Sequence, residues 1–507
     1  MRDTEQIVGV DIGTSRCRAV LYETTGRMVA ESTRTYPILT PHPGWQEQDP
    51  KAVLQAFLEC LQEIIGRSNR KKLAGIGLSG YLNSIMPVDL NGQPLASCMI
   101  WTDTRSQEAA RRIGEESDRS TLYYHTGCPI HPMYPRCKIR WVRDQYPSMF
   151  HQTHKFVSMK EYIVNEVFGD YIVDWSTAGG SGLLNIHSLE WDEEALKLTG
   201  LEPSRLSRVA SPLTRLPRIR PGYATMLGLD DSIPIILGGA DGTLSNIGVG
   251  AVSAGIANNT VGTGGAVRVF VPEPRLDNGT RTWCYPVAPD LWAVGGLSAG
   301  GLIYEWFIRE FAKGERQKAQ KRGISLYQLL EEYAQSIPPG SDGLIFLPFL
   351  VGSRTPSWNP SARGVLFGLS YHHTIRHFAR ALMEGVVYSF FSVFKAVEEA
   401  SGGIESVRVS GGFVRSTTWM QITADVYGRE LVVPSVAETT AFGAMFMVML
   451  ALGLAKRMED VQGMLTNQEL VRPDPRAHDT YRELFSKYNR LYEKLEDEFP
   501  TTPNVKG

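Results

Sequence analysis

Residues 7–20 read IVGVDIGTSRCRAV. Two apolar runs of strand character flank one acid, Asp11, and a turn built from Gly13, Thr14 and Ser15. Short strand-like runs continue through Ala19–Tyr22, the turn ETTGR and Met28–Glu31, the rhythm of a meander. The first turn carries so little side chain that its backbone N–H groups and two hydroxyls can converge on one anion, as phosphate-binding concavities do. An acid beside such a turn repels phosphate unless a cation intervenes, and Mg²⁺ accepts carboxylate, water and phosphate oxygens together. Taken alone, the plainer reading is a hairpin whose turn Asp11 caps. The stretch has neither the G-x-x-x-x-G-K-[ST] nor the G-x-G-x-x-G pattern, so a P-loop and a dinucleotide fold are unsupported.

Outward from this stretch the chain alternates helix and strand. Val53, Leu54, Phe57, Leu58, Leu61, Ile64 and Ile65 share one helical face, and the strand LAGIGLSG follows. Near the middle the pattern begins again. IPIILGGADG reads as a buried strand ending in glycines, and IANNTVGTGGAVRVF as a second apolar–turn–apolar unit. The likeness of GTSRCRAV to GTGGAVRV is what an old duplication leaves. We expect an α/β protein with a boundary near residues 246–255, giving domains 1–250 and 251–507. Later elements are a strand at Leu344–Leu350, a helix from about Thr374 to Ala400 stopped by Gly402 and Gly403, the strand SVRVSGG, and a last amphipathic helix carrying Tyr481, Phe485, Tyr488 and Leu495.

Bulk composition narrows the partners. The 507 residues include 52 basic and 54 acidic side chains, a formal charge of −2, and 43% hydrophobic residues. This near-balance provides no general field for nucleic acid or anionic membrane. The six cysteines are scattered without a C-x-x-C pair, which suits buried thiols in a reducing cytosol rather than disulfides or zinc. Arg2, Asp3 and Glu5 leave no apolar leader, and AFGAMFMVMLALGLA is too short to span a bilayer, reading instead as a buried helix ending at Lys456 and Arg457. A cytoplasmic protein is expected, and the sequence admits a homodimer without requiring one.

Three further stretches carry chemistry. VGTGGAVRV repeats the anion-binding turn, as two domains clamping one polyphosphate require; alone it is a glycine-rich hairpin. VSGGFVRSTTWMQITADVYG sets a Gly-Gly turn after a strand and Ser416 at a helix start, which suits a flat ring lying on backbone, or an ordinary loop with Ser416 as N-cap. LGGADGTLSNIG holds Asp241 beyond a buried strand, where a carboxylate can take the proton of a hydroxyl attacking phosphorus, or merely satisfy its own turn.

Taken in order, DIGT, GWQEQDP, WTDTR, GGADG, VGTGG, PSWNPSARGVLFGL and SGGFVRSTTWMQITAD resemble the FGGY family of carbohydrate kinases over nearly the whole chain. The resemblance implies two ribonuclease H-like domains of the actin and heat-shock chaperone type, with ATP, Mg²⁺ and a small-molecule sugar or sugar acid in the cleft between them. It makes Asp241 the base and Asp11 the carboxylate near Mg²⁺. It gives Gly13, Thr14, Ser15 and Arg18 to the first phosphate turn, and Thr263 and Gly264 to the second, where Gly265 replaces the commoner serine. Gly301 becomes a further nucleotide contact, and Gly411, Gly412 and Ser416 the adenosine site.

Within the family, GCPIHPMYPRCKIRWV, SMKEYIVNEVFGDYIVDWSTAGGSGLLNI and RTWCYPVAPDLWAVGG are similar to segments of gluconate kinases. Leu82 and Asn83 stand where methionine and histidine are usual, and Asn83 hydrogen-bonds without becoming a cation. Trp45, Trp101, Asp103 and His131 are further candidates for the sugar pocket, with Asp103 either holding hydroxyls or pairing with Arg105. His131 or Arg136 is expected to offset a substrate carboxylate. The alternatives are a kinase for a neutral ketose or polyol, and an actin-like ATPase that is no kinase. The joint presence of WTDTR and GGADG favours the kinases, because a non-kinase has no use for a base facing a sugar pocket.

Overall fold

The computed structural model describes residues 5–229, 232–465 and 468–501; Arg2 and Asp3, used above to argue against a leader, lie outside them. Two mixed sheets organise the chain. The first contains β1 (Gln6–Ile12), β2 (Arg16–Glu23), β3 (Met28–Thr35), β4 (Leu73–Gly80) and β5 (Ile235–Ala240), in the order β5-β4-β1-β2-β3. The first three form the antiparallel meander, while β4 and β5 run parallel to β1. Ile7, Val8, Val10 and Ile12 are all buried, as a central strand covered on both faces requires.

The second sheet contains β6 (Ile256–Val261), β7 (Gly264–Val271), β8 (Trp283–Ala288), β9 (Leu291–Ala299), β10 (Ser406–Ser410), β11 (Leu431–Val433) and β12 (Glu469–Val471). Their order is β8-β9-β7-β6-β10-β11-β12. Without the edge strands β8 and β12, the remaining five repeat the first sheet. β6, β7 and β9 are antiparallel neighbours, and β10 and β11 continue parallel to β6. The likeness of the two turns is thus a likeness of whole topologies. Two such sheets constitute the actin-like, two-domain α/β fold that the motifs imply.

Helices cover the sheets and connect them: α1 (Pro50–Arg67), α2 (Asp241–Gly248), α3 (Gly301–Phe311), α4 (Ile375–Ser401), α5 (Thr417–Tyr427), α6 (Thr439–Ala451) and α7 (Pro475–Leu495). α1 starts at an Asp49 cap with Pro50 in its first turn, and buries Val53, Phe57, Leu61, Ile64 and Ile65. The run read as a strand over Leu344–Leu350 forms a strand at Ile345–Leu347, in a separate two-stranded ribbon with Val365–Phe367, and Leu350 makes only an isolated bridge to Gly352. All six cysteines are buried and free. Among the described residues, no helix is long and apolar enough to cross a membrane.

One element departs from the order of the chain. We propose the division at 1–250 and 251–507 because it separates the strands of the two sheets, but α6 follows β11 and packs on β1, β4, β5 and α2. Its residues 441–449 are buried, and it stops at Ala451 rather than at Lys456, with Gly453 beyond it at φ +71°. Contact there is backbone to backbone. A Cβ on Gly9 would lie 1.9 Å from the Ala441 carbonyl oxygen, one on Gly77 2.2 Å from that of Ala444, one on Gly443 2.0 Å from that of Leu244, and one on Gly248 1.9 Å from that of Thr439. No methyl group fits at such distances, so four glycines set how closely helix, sheet and neighbouring helix approach.

Gly443→Ala should therefore destabilise the protein although alanine is the better helix former, by ~1–3 kcal/mol or more as overpacked cores do. Gly66→Ala, in α1 with no heavy atom within 4 Å of its would-be Cβ, is the matched control and should be neutral or stabilising. Thermal unfolding of the two variants checks this, and equal melting temperatures would mean the α6 seam gives way.

Candidate active site

The carboxyl ends of the parallel strands of both sheets meet in one cleft, the usual ligand position in α/β sheets. Asp11 lies near the end of β1, paired in register with Arg18 on β2 and Ser79 on β4. Asp241 follows β5 and opens α2, where its Oδ1 accepts the Gly242 N–H at 2.6 Å. Because β4 alone separates β1 from β5, the two acids stand two strand spacings apart, about 10 Å at the backbone.

Burial first, and then the facing Asp241 charge, push the Asp11 carboxyl up to about 7, while Arg18 and Arg16 work against the rise. Burial also raises Asp241, and Arg268, the Gly242 N–H and Lys160 hold that rise back. Arg268 comes from β7 across the cleft, with its Nε and Nη1 buried without a partner. Lys160 is itself pinned by Asp174 at 2.6 Å. The motifs drew attention to neither cation. The only signal for Arg268 is a lone arginine in the apolar run GGAVRVF, and nothing local links Lys160 to the site.

The two turns are tied internally. The Gly13 N–H donates to the Arg16 carbonyl at 3.0 Å, Tyr36 Oη donates to the Gly13 carbonyl at 2.6 Å, and Gln48 donates to the Thr14 carbonyl. Ser15 is exposed. Arg18 is occupied by Glu438, at the entry to α6, and by Thr33 Oγ1 at 3.1 Å. In the second turn, the Thr263 carbonyl accepts N–H bonds from Gly300 and Leu302 at 3.1 and 3.0 Å, and the Gly301 N–H donates to the Gly262 carbonyl at 2.7 Å. Gly301, the first residue of α3, is thus tied to the turn. At Gly264 a Cβ would crowd Trp101 Cη2 at 3.1 Å. Trp101 also donates from Nε1 to Thr14 Oγ1 at 3.1 Å, so one indole spans both turns.

At the end of β10, Gly411 is left-handed at φ +98°, where a Cβ would lie 2.4 Å from the Val261 carbonyl oxygen. Gly412 faces open space, and both glycines are exposed, leaving a flat shelf. Ser416 caps α5, its Oγ accepting from the Trp419 N–H at 3.1 Å and donating to Glu331 at 2.8 Å. Of the two readings of Ser416, this geometry supports the cap.

On the sugar side, Asn83 follows β4 in a left-handed conformation at φ +64°, with its Oδ1 buried and unpartnered. Asparagine tolerates this left-handed backbone, and its Oδ1 is left as a buried acceptor without a protein partner. Leu82 lies beside it, partly buried against Gly180. Asp103 is taken up by Arg105 at 2.7 Å and by the Gln46 N–H at 2.7 Å, which leaves the ion-pair alternative as the observed one. Trp45 stacks on the same Arg105, 3.7 Å from the ring centre, and so anchors its loop.

Two expectations about charge are corrected. His131 is buried, its Nδ1 accepting the Met133 N–H, and burial together with Arg354 and Lys138 lowers it to about 3, so it is a neutral imidazole. Arg136 is fully buried and directed at the carbonyls of Gly182 and Pro129, where it builds structure instead of facing a cleft ligand.

Comparison with known proteins accords with this arrangement. The N-terminal domain of the FGGY family of carbohydrate kinases matches residues 6–248, and its C-terminal domain matches residues 257–452. The chain is 35% identical over 503 residues to a protein named gluconokinase from Bacillus licheniformis, covering 99% of this chain and 98% of that one. The crystal structure of gluconate kinase from Lactobacillus acidophilus superposes with a TM-score of 0.91 at 29% identity, covering 98% of this chain and 100% of that one. A ligand-bound xylulose kinase from the same organism superposes equally well, at 0.91 and 29%, covering 98% and 99%. With both halves of the family matched in order, the chain belongs to the FGGY family of carbohydrate kinases, and thereby to the ATP:sugar phosphotransferases.

Proposed function

We propose that this protein transfers the γ-phosphoryl group of ATP to a hydroxyl of a sugar acid, D-gluconate, with Asp241 as the general base. The observation that carries the chemistry is the convergence of two glycine turns and two facing carboxylates on one cleft, spanned by Trp101. The choice of gluconate rests on the 35% identical relative of that name, which the chain covers almost completely.

In this reading Asp241 takes the proton as the sugar oxygen attacks phosphorus. Its raised proton affinity makes it a better base than an ordinary carboxylate, while Arg268 and the Gly242 N–H favour the ionised form that accepts the proton. The turn at Gly13, Thr14 and Ser15 and the turn at Thr263 and Gly264 supply small, backbone-rich walls for the phosphate chain. The shelf of Gly411 and Gly412 takes the adenosine. Asn83 turns its free Oδ1 to a sugar hydroxyl. Because loose phosphoryl transfer asks mainly for positioning and charge stabilisation, such a set is sufficient on the protein's side.

The residues also fit Mg²⁺. The charge of Asp241 raises the proton affinity of Asp11 in a partly buried space, and a hard dication with oxygen ligands would relieve that repulsion. Asp11 would hold it, with phosphate oxygens and water completing its shell. When bound, such an ion neutralises charge on the phosphate chain and helps to align it.

Asp241→Asn should lower kcat by ~10²–10⁴-fold while leaving ATP binding intact, because an amide keeps the shape but takes no proton. Steady-state rates beside nucleotide titration test this, and a variant retaining most of its turnover removes Asp241 from the role. A second outcome concerns Asp11, whose carboxyl should titrate near 7 by ¹³C NMR in the ligand-free protein. Since this lies above the unfolded value of 3.8, the native state holds the proton more tightly, and the group's contribution to stability is full below that value and lost as pH rises through 7. Asp241→Asn should lower the midpoint; a midpoint that stays put means the two acids do not sense each other.

A further inference from the structure

If the substrate is an aldonic acid, its carboxylate must meet a cation in a cleft already holding two acids. The cations expected from sequence do not serve: His131 is neutral and Arg136 is committed to carbonyls. Lys138 donates to the carbonyls of Asn83 and Ile100 at 2.6 and 2.7 Å. Arg105 is shared between Asp103 and Glu47. Arg268 stands at the reacting end, facing Asp241.

Arg354 remains. It belongs to the second half of the chain but reaches the sugar side of the first, with Cζ 5.2 Å from the centre of the Trp101 ring and close enough to His131 to disfavour its protonation. Its Nε is buried without a hydrogen-bond partner, and among the described residues no carboxylate pairs with its guanidinium. Burial lowers it to about 10, the sign of a charge held out of water without compensation. The loop that presents it is stitched down: the Ser353 N–H donates to the Asn359 carbonyl at 2.8 Å, the Trp358 N–H to the Arg354 carbonyl at 2.6 Å, the Leu297 N–H to Thr355 Oγ1 at 3.1 Å, and Trp358 Nε1 to the Arg281 carbonyl at 2.8 Å. A half-buried guanidinium held by a fixed loop, with its Nε unpartnered and, among the described residues, no carboxylate beside it, is a ready fork for a planar anion.

We propose that Arg354 receives the carboxylate of the substrate and is the residue that makes this kinase selective for an aldonic acid, an inference that rests on the sugar-acid reading above. The carbon chain then lies between Asn83 and the Trp101 face, with its distal hydroxyl at Asp241.

The test compares D-gluconate with D-glucitol, which replaces the carboxylate by CH₂OH and keeps the remaining hydroxyls. Wild-type kcat/KM should favour gluconate by about 30- to 3,000-fold, the size of effect seen when one partner of a desolvated charge pair is lost. Arg354→Gln should remove most of that preference, chiefly through KM for gluconate, with a much smaller loss for glucitol. Arg354→Lys, which keeps the charge but loses the fork, should fall between them and decides the matter if the glutamine variant does not fold. Equal losses for both substrates, or a lysine variant with undiminished preference, overturn the role of Arg354 while the sugar-acid reading stands. A wild-type enzyme that favours glucitol or xylulose overturns that reading and the inference together.

Discussion

The geometry of the cleft depends on the near-contact of backbones where α6 crosses β1, β4 and α2. Main-chain atoms at Gly9, Gly77, Gly248 and Gly443 lie too close to their neighbours for any side chain to intervene. Close-packed interiors transmit displacement instead of absorbing it. A shift of α6 therefore moves the strand that ends in Asp11 and the helix that begins with Asp241 together. Arg18 strengthens this dependence, because its partner Glu438 stands at the entry to the same helix. What looks in sequence like a phosphate-turn arginine is, in the fold, a fastener between the first turn and a helix encoded over 400 residues later.

The charges around the reaction centre obey a related logic. Burial raises the proton affinity of both acids, the charge of Asp241 adds to the rise at Asp11, and the cations that moderate Asp241 come from other places. Arg268 crosses from the second sheet, and Lys160 is anchored by Asp174 below. Neither cation pairs directly with Asp241, which leaves that carboxylate free to exchange a proton. A direct ion pair with a neighbouring cation would have favoured its ionised form.

The parts of this protein legible in sequence are those whose signal is local. The strand–turn–strand of residues 7–20, its repeat around VGTGG, the buried α6 run and the amphipathic α7 all follow from periodicity and small residues, and each element forms, although α6 ends five residues early at Ala451. The ordered motifs identified the family. Contacts that join distant segments were not legible. Nothing in GGAVRVF says that Arg268 will face Asp241, and GSRTP does not announce that Arg354 will lie over Trp101. The charged state of His131 was equally hidden, since it follows from burial and from Arg354 and Lys138 beside it. Asp103 offered two readings from sequence alone, and only the position of the Arg105 side chain chose between them. Local spacing identifies which residues can do chemistry; the tertiary fold decides which of them remain available.

The return of α6 to the first sheet also bears on how the protein is made. Roughly 200 residues separate Gly248 from Ala451. At ribosomal speeds of ~5–20 residues per second, the first half waits on the order of 10–40 s for the helix that covers it. During that interval the glycine-lined face of β1 and β4 is an open apolar groove on a nascent chain. A first half released alone would keep that groove open, so the two sheets, although built to one plan, are not independent lobes. The completed second half is also the first half's last structural component.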